Sequence, residues 1–162
     1  MLVPPKVVIG KSWSIKNSLV ITMKKIFVID WLLLLAGILC TTTGIGMHHA
    51  GHFAVHEVWH NWAVAHVLTS LFMVVMGILH IQTHWNWYKG LFKGQIKNKS
   101  HVTMILSVVF VVLVATGLIL LFVEGANSEI GIWHWVVGLL VTALSAGHII
   151  RRFHILKKSI KK

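Results

Sequence analysis

His66 and His80 stand 14 residues apart, as do His134 and His148, and the second pair follows the first at a distance of 68 positions. Each of the four interrupts an apolar run, where an ionisable side chain is costly and usually functional. On a helix, at about 1.5 Å and 100° per residue, such a spacing is roughly 21 Å of rise and a net turn of some 40°. Both imidazoles of a helix then face the same way, one deep in each half of a membrane. Neutral imidazoles on facing helices suit one cofactor chemistry in particular, because a porphyrin iron takes its axial ligands from opposite faces of the ring. The expectation is two haems b, an outer one between His66 and His134 and an inner one between His80 and His148. Cys40 is the only cysteine, so no Cys-x-x-Cys-His attachment exists and binding would be non-covalent. A single such spacing would be weak, since His52 and His66 show it too; its recurrence in corresponding positions of a repeat is what gives it meaning.

The elements that must hold these residues follow from composition. The 162 residues are 56% hydrophobic and only 12% charged, with a mean hydropathy of +0.79, a balance foreign to soluble domains. Segments 26–47, 61–83, 102–123 and 132–150 are each long enough to cross about 30 Å of hydrocarbon as a helix. The predicted fold is an all-α, integral membrane four-helix bundle, with a basic N-terminal arm over 1–25, a haem-binding transmembrane domain over 26–150 and a basic tail over 151–162. The bundle reads as one helical hairpin used twice, because Thr43-Gly44 recurs as Thr116-Gly117 and the Trp-rich stretches Trp59/Trp62 and Trp133/Trp135 open the second and fourth spans. Gly44, Gly117, Gly138 and Gly147, with Ser70 and Ala146, would leave room for flat macrocycles.

Charge supplies the topology. The 15 Lys and Arg far outnumber the 4 Asp and Glu, yet they lie outside the apolar runs, which argues against nucleic-acid binding. They cluster in the arm (Lys6, Lys11, Lys16, Lys24, Lys25), the second connection (Lys89, Lys93, Lys97, Lys99) and the tail (Arg151, Arg152, Lys157, Lys158, Lys161, Lys162). The other two connections carry only Glu57, Glu124 and Glu129 as charged residues. By the positive-inside rule both termini face the cytoplasm, in the inner (cytoplasmic) membrane. Residues 1–22 fit no element and read as a surface arm, with Met23-Lys-Lys an alternative start.

Other histidines compete for roles. His84, one turn beyond His80, is a rival inner ligand or a contact for a haem propionate or quinone, and His154 is a weaker one; both also read as interfacial residues. His48, His49, His52, His56 and His60 form a stripe between the first two spans that could bind a metal, relay protons or dock a partner, though a solvated, pH-sensitive segment is the plainer reading. Asp30 reads as a helix cap meeting Lys24 or Lys25, or as a proton-handling group beside a quinone. His101 has no special claim.

The run His56-Glu-Val-Trp-His-Asn-Trp-Ala-Val-Ala-His66 with Gly77-Ile-Leu-His80-Ile-Gln-Thr-His84-Trp-Asn-Trp87 resembles the small membrane cytochromes b associated with extracytoplasmic flavinylated electron-transfer systems. The likeness covers the first two spans best, including Asp30 and the Thr-Gly pair. More distantly, the paired histidine helices are similar to those of quinol-oxidising cytochromes b and of the cytochrome b subunits of hydrogenases and formate dehydrogenases. The resemblance carries His66, His80 and His84, and implies exchange with a quinone and a redox partner subunit; His134 and His148 come from the repeat alone. With neither a flavin-attachment domain nor a c-type haem motif here, a partner is expected to supply the rest of the electron path. The expected function is transmembrane electron transfer between a quinone pool and that partner. The rivals are a non-haem metal transporter or sensor, and a structural membrane anchor of a respiratory complex.

Overall fold

A span with no water beside it must satisfy its backbone internally, and a helix does so within one segment. In the computed structural model the chain is all-α, and its order is α1 (Ile9–Phe53), α2 (His56–Thr83), α3 (Trp85–Phe92), α4 (His101–Leu120) and α5 (Glu129–Ile160). The structure describes residues 9–53, 56–93, 101–122 and 128–160, with side chains over 24–52, 56–93, 101–122 and 128–157. Lys6, Lys97, Lys99, Val123, Glu124, Lys161 and Lys162 lie outside the described residues, as do the side chains of Lys11, Lys16 and Lys158. Four segments are long and apolar enough to cross a membrane: Lys24–His52, His56–Thr83, His101–Leu120 and Glu129–Lys157.

Two expectations are corrected. The N-terminal arm is not irregular, since from Ile9 onward it is the first part of α1. Extending an existing helix fixes one residue per new hydrogen bond, whereas starting one fixes several, so the polar stretch rides on the apolar helix that follows it. The same holds at the other end, where α5 runs through the basic tail to Ile160.

Helix α1 lies against α2 and α5, and α4 against α5. Phe110 of α4 reaches α2 where Gly77 leaves room, and a Cβ there would sit 3.0 Å from the phenyl Cζ. At the α1–α2 contact a Cβ on Gly46 would fall 2.6 Å from the indole of Trp62, so glycine is required for that approach. Thr41 and Thr142 join α1 to α5 through their hydroxyls at 3.3 Å, and Cys40 Sγ meets Ser70 Oγ at 3.2 Å between α1 and α2.

The interior is made of small residues. Ala36, Ala50 and Val141 are the buried apolar side chains among the described residues, Thr43 is the buried polar one, and no large side chain is fully buried. Leu68, Val108, Val111 and Ile150 are among many large apolar residues that face outward, as expected of helices solvated by lipid and apolar on every side.

At the end of α2 the chain turns at His84, whose N–H donates to the His80 carbonyl at 3.1 Å and whose own carbonyl accepts from Trp87 N–H at 2.9 Å. The short α3 that follows carries Trp85, Trp87 and Tyr88, aromatic residues of the kind that settle at a membrane–water boundary. Tyr88 anchors it, its hydroxyl 3.0 Å from Ser107 Oγ of α4.

Candidate functional site

The site is built by α2 and α5, which supply the histidines, and by α1 and α4, which orient them. His66 and His134 meet across the bundle with ring centres 6.3 Å apart and planes inclined at 75°. Their Nδ1 atoms are tied in the same manner. His66 Nδ1 lies 3.2 Å from the Cys40 carbonyl and 3.2 Å from Thr43 Oγ1, while His134 Nδ1 lies 2.9 Å from Thr116 Oγ1. Each threonine donates its own hydroxyl hydrogen to its helix, Thr43 to Leu39 at 2.8 Å and Thr116 to Val112 at 3.0 Å. A carbonyl can only accept, and a hydroxyl whose hydrogen is committed accepts as well. Nδ1 therefore carries the proton in both rings, and Nε2 presents its lone pair.

Close backbone approach makes this possible. A Cβ on Gly44 would lie 3.0 Å from His66 Cε1, and one on Gly117 would lie 3.1 Å from His134 Cε1. The Thr-Gly pair thus has a definite task in each hairpin: threonine accepts the hydrogen bond from the ring N–H and glycine lets the ring lie against the neighbouring helix. The other glycines differ, since Gly138 has Leu113 at 3.7 Å and Gly147 faces open space.

At the inner level the two histidines are likewise met at Nδ1 by side chains of the neighbouring helices, with a different pair of partners. His80 Nδ1 donates to Asp30 Oδ1 at 2.8 Å, and His148 Nδ1 stands 3.4 Å from Thr103 Oγ1. Of the two readings of Asp30, the helix cap facing lysine is corrected: the residue lies well inside α1, because that helix begins at Ile9, and its ion-pair partners among the described residues are His80 and His84. His84 Nε2 is 4.0 Å from the same carboxylate oxygen, and its ring centre is 4.6 Å from that of His80. Asp30, His80 and His84 form the one cluster among the described residues whose donor atoms, all within 4.8 Å of one another, could hold a metal ion. Burial foremost, then the neighbouring His80 and Arg152, lowers the His84 pKa against the opposing pull of Asp30. His148 lies within electrostatic reach of His80, His84, Arg152 and Asp30.

Four anchored rings at two levels are what the fold provides. Two imidazoles that shared one metal ion, with metal–nitrogen bonds of about 2 Å each, would have ring centres roughly 6 Å apart. The His66–His134 separation of 6.3 Å fits that spacing. The anchored Nδ1–H is also the arrangement that metal-bound imidazoles use to fix tautomer and orientation.

The remaining histidines stand apart. His48, His49, His52, His56 and His60 are exposed. Within that stripe His48 and His52 touch at 4.9 Å between ring centres, His56 lies beside His60 at 6.5 Å, and His48 stacks on Trp135 at 4.1 Å. His101 and His154 are exposed as well.

The partners on α1 and α4 are what sequence reasoning missed. Thr43-Gly44 and Thr116-Gly117 are 73 positions apart, and the same step carries Asp30 to Thr103 and Cys40 to Leu113. Together with the 68-position step from α2 to α5, this relates every anchoring contact of one hairpin to one in the other.

Fold and site define a class: a four-helix membrane-type bundle with two levels of histidines held between repeated hairpins. Comparison with protein-family models, with curated proteins and with solved structures finds no match to this chain.

Proposed function

We propose that the chain is a transmembrane dihaem cytochrome b that carries electrons between a quinone pool and a redox partner subunit. His66 and His134 would hold the outer haem, and His80 and His148 the inner one. The observation that carries the reading is the facing pair His66 and His134, with ring centres 6.3 Å apart and each Nδ1 bound to a group on a neighbouring helix, which leaves Nε2 for a ligand. At the inner level His80 is favoured over His84, because His80 has the anchored Nδ1 and occupies the repeat position of His148.

When bound, haem supplies reversible one-electron chemistry. The chain's own residues would fix the imidazoles and set the two levels roughly 21 Å apart along the helix axis. The distribution of Lys and Arg supports an orientation with both termini on the cytoplasmic side of the inner membrane, so that the histidine stripe meets the extracytoplasmic side. His84 and the indoles of α3 then flank the inner level at the cytoplasmic boundary, where a quinone headgroup would approach.

A pyridine haemochrome assay on the detergent-purified chain, quantified against protein, tests the reading. Two haems b per chain are expected; a colourless protein would overturn it. One observation favours a second reading, the grouping of Asp30, His80 and His84 within 4.8 Å, which would suit a divalent transition metal. That reading expects stoichiometric metal without haem.

A further inference from the structure

On three of the four histidines the side chain that meets Nδ1 is a threonine, and on the fourth it is an aspartate. Thr43 serves His66, Thr116 serves His134 and Thr103 serves His148, whereas Asp30 serves His80 at 2.8 Å. Because the repeat places Asp30 and Thr103 in equivalent positions, the carboxylate is a departure from a pattern the chain otherwise keeps. The departure occurs at the inner level alone.

We propose that Asp30 is a positioning residue that lowers the reduction potential of the inner level below that of the outer level, an inference that rests on the haem reading above. An imidazole that gives its Nδ1–H to a carboxylate gains anionic character and becomes a stronger donor through Nε2. A stronger axial donor favours ferric over ferrous iron, as does a negative charge nearby in a low-dielectric interior. A hydroxyl acceptor does neither to the same degree. The opposing charge at this level is Arg152, within reach of His148 and His84. It is exposed and therefore screened by water and salt, while the Asp30 side chain is 22% exposed and bonds its histidine directly. The carboxylate therefore prevails, and an electron shared between the levels rests on the outer one. The same Asp30 oxygen lies 4.0 Å from His84 Nε2, so one carboxylate neighbours both His80 and the residue that follows α2.

The test is a potentiometric titration of the purified, haem-loaded protein, following the α-band. The wild type should titrate as two components, and His66→Ala, which keeps only the inner level, should retain the lower one. In Asp30→Asn the lower component should rise toward the higher, which stays where it was. In Thr103→Asp, a second carboxylate on the same level should push the lower component further down. Those two shifts in opposite directions would establish the assignment. If both haems are present and neither substitution moves the lower component, or the higher one moves instead, the inference fails while the haem reading stands. If Asp30→Asn loses its inner haem, Thr103→Asp decides alone, and an unmoved lower component there sinks the proposal. A wild-type protein without haem would overturn the underlying reading instead.

Discussion

The outer and inner levels of the bundle both meet their histidines at Nδ1 from the neighbouring helices, but with different chemistry. At the outer level both rings are held by neutral acceptors, Cys40 carbonyl and Thr43 on one side and Thr116 on the other, each ring lying against a glycine. At the inner level the partners are unequal, a carboxylate at 2.8 Å and a hydroxyl at 3.4 Å, with His84 and Arg152 within electrostatic reach of His148. The outer level is therefore built for fit and symmetry, the inner for electrostatic adjustment. A hairpin used twice can keep its histidines in place while the residues behind them differ.

The sharpest way to break the comparison is to remove a ligand. His66→Ala is expected to lose the outer haem completely and His148→Ala the inner one, each leaving one haem per chain in the haemochrome assay. Next in size is the contrast between neighbours: His80→Ala should lose the inner haem, whereas His84→Ala should keep both. Retention of haem in His80→Ala would show that His84 takes over as ligand and that the inner level is adaptable where the outer is not.

Smaller effects test the anchors. Thr116→Val removes a 2.9 Å acceptor and should weaken haem retention by about 10-fold or more, within the range usual for residues that orient metal-bound histidines. Thr103→Val removes a contact of 3.4 Å and should cost distinctly less, as judged by haem transfer to an apo-globin acceptor. Smallest is Thr41→Val, which breaks the 3.3 Å link to Thr142. It should lower thermal stability in detergent by about 1 kcal/mol with both haems in place.

The long elements were legible in the sequence because lipid demands uninterrupted apolar helices, and the meeting of His66 with His134 followed from the 68-position repeat. The ends of α1 and α5 were not, since polar residues continue a helix that apolar ones have begun and leave no hydropathy signal. Asp30 was misread for the same reason: a first span taken to begin at residue 26 made it look like a cap. The signal that could have found its role was present in the Thr-Gly pair, whose 73-position step leads from Asp30 to Thr103. Contacts between helices come from a second helix's register, and only a repeat that contains both registers reveals them.

The interior contains no large fully buried side chain among the described residues, and this has a consequence for how such a chain changes over generations. Most positions on the four spans face outward and need only remain oily, so leucine, valine, isoleucine and phenylalanine can exchange there almost freely. The demand then falls on Gly44, Gly46, Gly77 and Gly117, where a Cβ would meet a neighbouring ring, and on the polar rungs that hold the histidines. Two descendants of one ancestor could drift until little of their wording is shared and still preserve the same ladder.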